Sequence, residues 1–206
     1  MKKGSTIVLI LLIIIAIVGM GMFFWKGKEA KQASTNTSQN TINNITDTKQ
    51  LLLDTMNSKQ KFINEDNQEV LFKDFEIIEN QTAKVDRYTF VDLDQDGTDE
   101  LVVLTTSDYG AYVILHYEND KVYGYKIGIR SLENLKTDGS FMGSSGANST
   151  EYLRMTFDKN TYSITKEAVY DMTNQTYQID GKNVSESEVK SYVEKWNKKE
   201  DVSWSK

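Results

Sequence analysis

The residues best suited to chemistry lie in one short acidic run, whose side-chain oxygen donors recur at positions 1, 3, 5 and 9. These donors are Asp92, Asp94, Asp96 and Glu100. Carboxylates that alternate along a tight turn point inward together, and this spacing suits calcium. Gly97 permits a backbone conformation that a β-carbon would penalise, and Thr98 offers its backbone carbonyl. The run therefore predicts a calcium loop at 92–100.

An acidic turn that binds nothing is the alternative, because aspartate and glycine are common in turns. Three alternating aspartates with a further acid at position 9 exceed what a turn requires. Carboxylates so close together would also repel one another without a cation. Calcium as a structural cofactor is the favoured interpretation, and Asp99 is expected to point away from it.

The loop differs from a calcium EF-hand, which has helices on both sides and a glutamate at position 12. Position 12 is Val103 here, and both flanks have strand-like sequences. The run resembles the shorter loop of FG-GAP and VCBS repeats, in which Asp-x-Asp-x-Asp-Gly-x-x-Asp binds calcium between two strands. Glu100 replaces the last aspartate. Propellers need several blades and this chain has one such loop, so the resemblance implies the site and not the fold.

A wider resemblance covers residues 84–158. It rests on His116, Tyr117, Arg130, Leu132 and Leu135 and on segments 121–125, 138–141 and 144–147. These features resemble a module of uncharacterised, membrane-anchored extracytoplasmic proteins of Gram-positive bacteria, where it follows a single acidic loop. The resemblance implies a location and a metal, but no activity.

Composition excludes several kinds of site. The 206 residues contain no cysteine and no proline, which excludes disulfides, thiolate zinc sites and cysteine nucleophiles. The chain has 24 basic and 30 acidic side chains, and three of the lysines lie in residues 1–26. The remainder is acidic and repels nucleic acid and anionic lipid headgroups. We expect no nucleic-acid partner.

The first 26 residues predict a membrane anchor. Lys2 and Lys3 precede an uncharged stretch over 7–25, which as a helix spans roughly 28 Å, close to a bilayer core. A cleaved signal peptide is the alternative, but its apolar region is shorter and ends in small residues. The favoured interpretation is a single-pass signal-anchor at 1–26. Because calcium is millimolar outside cells, we expect the N-terminus inside and the remainder outside.

The rest of the chain divides into two parts. Residues 27–46 are rich in Ser, Thr, Asn and Gln, which predicts a flexible polar stalk. Residues 47–206 are expected to form the extracytoplasmic domain. Segment 69–78 lacks a clean period, so strand and turn both stay open there.

Alternating apolar residues predict strands on both sides of the acidic loop and in further hairpins. The predicted strands are 84–91, 100–106, 111–117, 121–129, 152–157, 161–170 and 177–179. Segment 143–148, rich in glycine and serine, is expected to be a surface loop. The economical arrangement of these strands is one antiparallel meander.

A helix is predicted at each end of this meander. Asp47 and Gln50 have capping-box spacing ahead of a helix over 48–61. Ser185 and Glu188 form a second capping box, followed by apolar residues at i, i+3, i+4 and i+7. The predicted fold class is therefore α+β, behind a transmembrane helix and a stalk.

The sequence predicts a binding protein rather than an enzyme. His116 is the single histidine, and a lone histidine in a strand is more often packed or hydrogen-bonded than catalytic. No base, nucleophile and orienting group stand out together. The expected function is a membrane-anchored calcium-binding scaffold for an extracellular ligand or protein partner that the sequence does not identify. A cell-envelope hydrolase, or an accessory or sensor subunit of a membrane complex, are the alternatives; a pocket holding Arg130, His116 and a carboxylate would favour the hydrolase.

Overall fold

The computed structural model describes residues 47–106 and 110–206. The anchor predicted at 1–26 and the stalk predicted at 27–46 lie outside these residues. Among the described helices, none combines the length and the apolar character that crossing a bilayer requires. By their contacts, Thr48–Lys206 form one unit.

The described chain contains thirteen strands and two α-helices. In chain order, they are α1 (47–56), β1 (Lys61–Ile63), β2 (Glu69–Leu71), β3 (Glu76–Ile78), β4 (Gln81–Thr82), β5 (Val85–Val91), β6 (Glu100–Thr105), β7 (Ala111–Glu118), β8 (Lys121–Gly128), β9 (Phe141–Gly146), β10 (Ser149–Asp158), β11 (Thr161–Asp171), β12 (Thr176–Ile179), β13 (Lys182–Asn183) and α2 (Glu186–Trp196). Single 3-10 turns lie at Phe72–Asp74 and Ile129–Ser131.

The strands form two main sheets rather than one meander. The first sheet has the order β2-β1-β8-β7-β6-β5, and the second has the order β13-β12-β11-β10-β9. A small hairpin pairs β3 with β4. In the first sheet β1 runs parallel to β8, which a meander cannot provide. Short turns predict which neighbouring strands pair, but they do not indicate where the chain leaves one sheet for another.

The prediction of an α+β fold is wrong, because the described chain is mostly β-sheet with two short helices. The first helix is shorter than predicted at its C-terminal end, since β1 begins at Lys61. Asp47 already lies within this helix and therefore does not cap it. The side chain of Gln50 instead donates to Asp54 Oδ1, at 3.0 Å.

The layers pack α1, the first sheet, the second sheet and α2 in that order. Strand β6, which lies between β7 and the edge strand β5, is buried along its whole length, as a strand covered on both faces must be. Val102 and Leu104 face the core shared with the second sheet. Leu101 and Val103 face the core that includes Leu52 of α1.

Most predicted strand positions agree with the structure to within a few residues, but β9 is a strand where segment 143–148 had been expected to form a surface loop. Gly143 and Gly146 lie in this strand and pair with β10. A β-carbon at Gly143 would meet Leu153 Cδ1 at 2.7 Å. Glycine permits that close approach within a strand, so the composition resembles a loop although the segment is paired.

The second helix begins as predicted. Ser185 accepts a hydrogen bond from the Glu188 N–H, and the Glu188 carboxylate accepts one from the Ser185 N–H. Its apolar face packs Val189 and Trp196 against the second sheet. After the helix, the chain returns to the first sheet, where Ser205 pairs with Tyr88 on the outer edge of β5.

Candidate metal site

The acidic loop connects β5 to β6, and Val91 and Glu100 are paired where the two strands end and begin. Backbone N–H groups within the loop donate to three of its aspartates, Asp92, Asp94 and Asp96. Gly97 donates to Asp92 Oδ2 at 3.0 Å, and Asp96 donates to Asp94 Oδ1 at 3.1 Å. Gly97 has a φ of +93°, a conformation that favours glycine. The loop is therefore a tight turn that gathers its side chains.

Three of the predicted ligands come together. One carboxylate oxygen from each of Asp92, Asp94 and Glu100 lies within 4.8 Å of the other two. Asp96 is exposed and does not belong to this group; its Oδ1 accepts a hydrogen bond from the Thr98 N–H at 2.6 Å. Three of the four predicted carboxylates therefore converge.

Asp99 points away from this cluster, as predicted. Its Oδ2 lies 2.5 Å from Lys49 Nζ on α1. The alternation of side chains explains the difference, because Asp99 lies between Thr98 and Glu100 and faces the opposite way from Glu100. The acidic residues of the loop thus divide into an inward group and an outward ion pair.

One oxygen of Asp92 has no hydrogen-bond partner among the described residues. Its Oδ1 atom is buried and makes no hydrogen bond within the described chain, although Oδ2 accepts from Gly97. A buried carboxylate oxygen without a donor costs free energy. This atom belongs to one of the three residues that converge, so a cation between them would satisfy it.

Glu100 is fully buried at the start of β6. Its Oε2 accepts a hydrogen bond from the Leu93 N–H at 2.8 Å, and its Oε1 lies 3.0 Å from His116 Nδ1. Burial raises the pKa of Glu100 to about 7, against the opposing effect of these two hydrogen bonds. The site thus disfavours a negative charge that lacks a nearby cation.

Asp94 shows the same effect more weakly. Burial is the main cause that raises its pKa, and the neighbouring negative charges of Asp96 and Asp92 add to it, against the backbone hydrogen bond from Asp96. Desolvation and like charges both favour the protonated carboxyl. A bound divalent cation would reverse this preference, since it stabilises the ionised form.

His116 is hydrogen-bonded and packed in the structure. It is 3% exposed, and its ring stacks on Phe157 with centroids 4.5 Å apart. Glu100 and His116 are within hydrogen-bond reach, and both side chains are buried. Arg130 lies on an exposed 3-10 turn and has no ion-pair partner within the described residues. In the β7–β8 register His116 pairs with Tyr123 and Ala111 pairs with Gly128, so Arg130 follows β8 at the end away from His116.

The donor set fits a hard cation. Carboxylate oxygens are the preferred ligands of calcium and magnesium, and the structure places neither sulfur nor an imidazole nitrogen within the converging group. Asp92, Asp94 and Glu100 would hold the ion. Asp96 and Thr98, the other two predicted ligands, lie in the same loop. The ion would supply positive charge to a cluster in which burial works against the ionised carboxylates.

Two side chains that contact the loop were not predicted from the sequence to do so. His116 is within hydrogen-bond distance of Glu100, and Lys49 forms an ion pair with Asp99. His116 lies 16 residues from Glu100, and the pairing of β6 with β7 brings them together. The strand positions were predictable, and the register of Leu101 with Leu115 would have placed Glu100 opposite His116. The signal for Lys49 is weaker, because the docking position of α1 is not encoded locally.

Comparisons of the chain with protein-family models, with curated proteins and with solved structures find no match.

Proposed function

We propose that this protein is an extracytoplasmic calcium-binding module with a structural ion in the β5–β6 loop. The observation that carries the proposal is the buried Asp92 Oδ1, which has no hydrogen-bond partner within the described chain and belongs to the group formed with Asp94 and Glu100. Calcium satisfies such oxygens, and the FG-GAP-like spacing of the loop favours it over smaller cations.

The ion would stabilise the connection between two strands rather than perform chemistry. Val91 ends β5 and Glu100 begins β6, and the two strands pair in the first sheet. A rigid loop between them therefore fixes the register of β5 and β6. Glu100 has no exposed surface, which leaves little room for metal-assisted hydrolysis. The proposed role is therefore a scaffold that presents a surface to another molecule, not an enzyme.

The proposed location is outside the cell membrane, with the apolar residues 7–25 associated with the membrane. Support comes from the sequence, since those residues lie outside the described part of the chain. The acidic character of the remainder and the millimolar calcium of extracellular fluid agree with this location. Protease accessibility of residues 47–206 on intact cells tests it.

Thermal unfolding of the full-length chain in detergent tests the metal. At a calcium concentration about 100 times the dissociation constant, the free energy of unfolding should rise by about 2.7 kcal/mol relative to excess chelator. Asp94→Asn should remove most of that gain, because it deletes one charge of the converging group. Magnesium at the same concentration should stabilise less, since it demands a smaller octahedral shell.

Asp66→Asn is the matched control. Asp66 is an exposed aspartate in the turn between β1 and β2, so its loss changes the net charge equally without touching the loop. This variant should keep the full calcium response. An unchanged melting temperature of the wild-type chain in calcium and in chelator would rule out a structural calcium ion.

A further inference from the structure

Lys49 of α1 contacts a strand residue just before the acidic loop and a residue near the end of the loop. Its ammonium nitrogen lies 2.5 Å from Asp99 Oδ2 and 5.2 Å from the ring centroid of Phe90. Phe90 is two residues before Asp92, and Asp99 directly precedes Glu100. One side chain of the helix therefore joins the segment that enters the loop to the segment that leaves it.

The helix that carries Lys49 is fixed to the strand that carries Glu100. Leu52 of α1 is fully buried and belongs to one apolar cluster with Leu101 and Val103 of β6. Leu101 is the residue after Glu100. Docking of α1 thus determines where the Lys49 ammonium lies relative to the loop.

We infer that Lys49 is a positioning residue for the calcium site and that calcium binding is coupled to the docking of α1. The inference rests on the proposed function. A loop whose ends are already held requires less ordering when the ion binds, so Lys49 favours binding. Linkage is reciprocal, and calcium therefore stabilises the docked helix by the same factor.

A purely electrostatic role makes a different forecast. The Lys49 charge repels a cation and the Asp99 charge attracts one, so charge alone makes Lys49→Met bind calcium more tightly and Asp99→Asn more weakly. Positioning makes both variants bind more weakly, because each breaks the same contact. The direction of the change in the Lys49→Met variant separates the two roles.

Calorimetric titration of the full-length chain with calcium, in detergent, measures these affinities. At 0.5 M potassium chloride the Debye length is about 4 Å, which suppresses the long-range charge effect. We expect Lys49→Met and Asp99→Asn each to weaken calcium binding by about threefold. The double variant should lose little more than either single variant, since both remove one interaction. Lys49→Arg should restore most of the affinity.

Lys59→Met is the matched control. Lys59 forms an ion pair with Asp54 of α1 at 2.9 Å, and it is remote in sequence from the loop. The variant removes a lysine ion pair from the same helix, so it reports any general weakening of α1. Calcium affinity should stay at the wild-type value.

Hydrogen exchange supplies the second readout. Amides in residues 50–56 should exchange about threefold more slowly in calcium than in chelator, and Lys49→Met should abolish that difference. Two results would overturn the positioning role and leave the metal proposal intact. The first is a heat of calcium binding with no change in the exchange rates of α1 amides, and the second is tighter calcium binding by Lys49→Met. The absence of any calcium heat in the wild-type chain overturns both.

Discussion

Glu100 and His116 lie on neighbouring strands of the first sheet, with Glu100 Oε1 3.0 Å from His116 Nδ1. Both side chains are buried. When Glu100 is ionised, as it would be beside a bound cation, its carboxylate only accepts hydrogen bonds, so Nδ1 would then be the donor; the Leu93 N–H donates to the other oxygen. The histidine therefore orients a carboxylate of the candidate metal site from behind.

Replacement of this histidine by an aromatic ring without a donor should affect both stability and metal binding. His116→Phe keeps a ring that can stack on Phe157, but it leaves Glu100 Oε1 without its donor. We expect the free energy of unfolding in chelator to fall by about 1–3 kcal/mol. Calcium affinity should fall by about tenfold or more, as it does when a partner of a metal ligand is lost. Urea unfolding and calorimetry measure the two effects.

Tyr117→Phe provides the comparison for that variant. Tyr117 is the residue after His116 in β7, and its exposed hydroxyl donates a hydrogen bond to Asp120 Oδ1. Its loss should cost at most about 0.5 kcal/mol and leave calcium affinity unchanged. Equal calcium affinity in His116→Phe and Tyr117→Phe would show that His116 does not orient the ligand.

The aspartates of the loop should not be equivalent. Asp92 belongs to the converging group and carries a buried oxygen without a hydrogen-bond partner in the described chain, whereas Asp96 is exposed and lies outside that group. Asp92→Asn should therefore weaken calcium binding by well over tenfold, and Asp96→Asn by a smaller factor. Calorimetric titration of both variants gives the ratio. A larger loss for Asp96→Asn would mean that the loop rearranges to a different ligand set when the ion binds.

Local sequence patterns were sufficient for the loop, the strands beside it and the last helix. Alternation of apolar residues located β5 to β8, and the Ser185 and Glu188 spacing located the start of α2, because each signal depends on residues a few positions apart. The β9 strand was not predicted, because Gly143 and its serine neighbours have a loop-like composition and become a strand by pairing with β10. Composition indicates only the local preference for strand or loop, and pairing with another strand can override that preference.

Long-range relationships do not follow from any single local motif. The contact of Glu100 with His116 requires the β6–β7 register, and the contact of Asp99 with Lys49 requires the position of a helix 50 residues away. The division into two sheets is of the same kind, since β1 joins β8 in parallel across nearly 60 residues. These contacts are decided by the packing of buried faces, which no short motif records.

Gly139, which lies in a different loop, packs closely against the backbone at the start of the acidic loop. Gly139 has a φ of +78°, and a β-carbon there would lie 2.3 Å from the Asp92 carbonyl oxygen and 3.0 Å from Leu93 Cα. These are backbone atoms that cannot rotate away. Gly139→Ala should therefore cost about 3 kcal/mol or more in the free energy of unfolding and displace the start of the acidic loop.

Gly181→Ala isolates the backbone part of that cost. Gly181 has a φ of +71° in the β12–β13 turn, and a β-carbon there meets nothing within 4 Å. The substitution should cost about 1 kcal/mol and leave calcium affinity unchanged. Urea unfolding of both variants measures the difference. Similar losses in the two would show that contact with Asp92 is not the constraint.

The turn at Asp138 should make stability depend on acid pH. Its carboxylate lies 2.8 Å from Lys199 Nζ, beyond the end of α2, and accepts the Ser140 hydroxyl at 2.6 Å. Burial alone would raise the pKa of Asp138, but the hydrogen bonds from Lys199 and Ser140 outweigh it and lower the pKa to about 2. The ionised form is therefore favoured in the folded chain.

A folded-state pKa below the ordinary aspartate value of 3.8 means that Asp138 contributes stability above about pH 4, and that this contribution is lost as the pH falls toward 2. Asp138→Asn lacks the carboxylate, so the difference in urea midpoint between the wild-type chain and this variant should be constant above pH 5 and shrink below pH 4. Lys199→Met should show the same pH dependence, because it removes the partner that lowers the pKa. Measurements in chelator keep the metal site out of the comparison. A difference in midpoint that stays constant down to pH 2.5 would mean that the Lys199 and Ser140 contacts do not hold this carboxyl ionised.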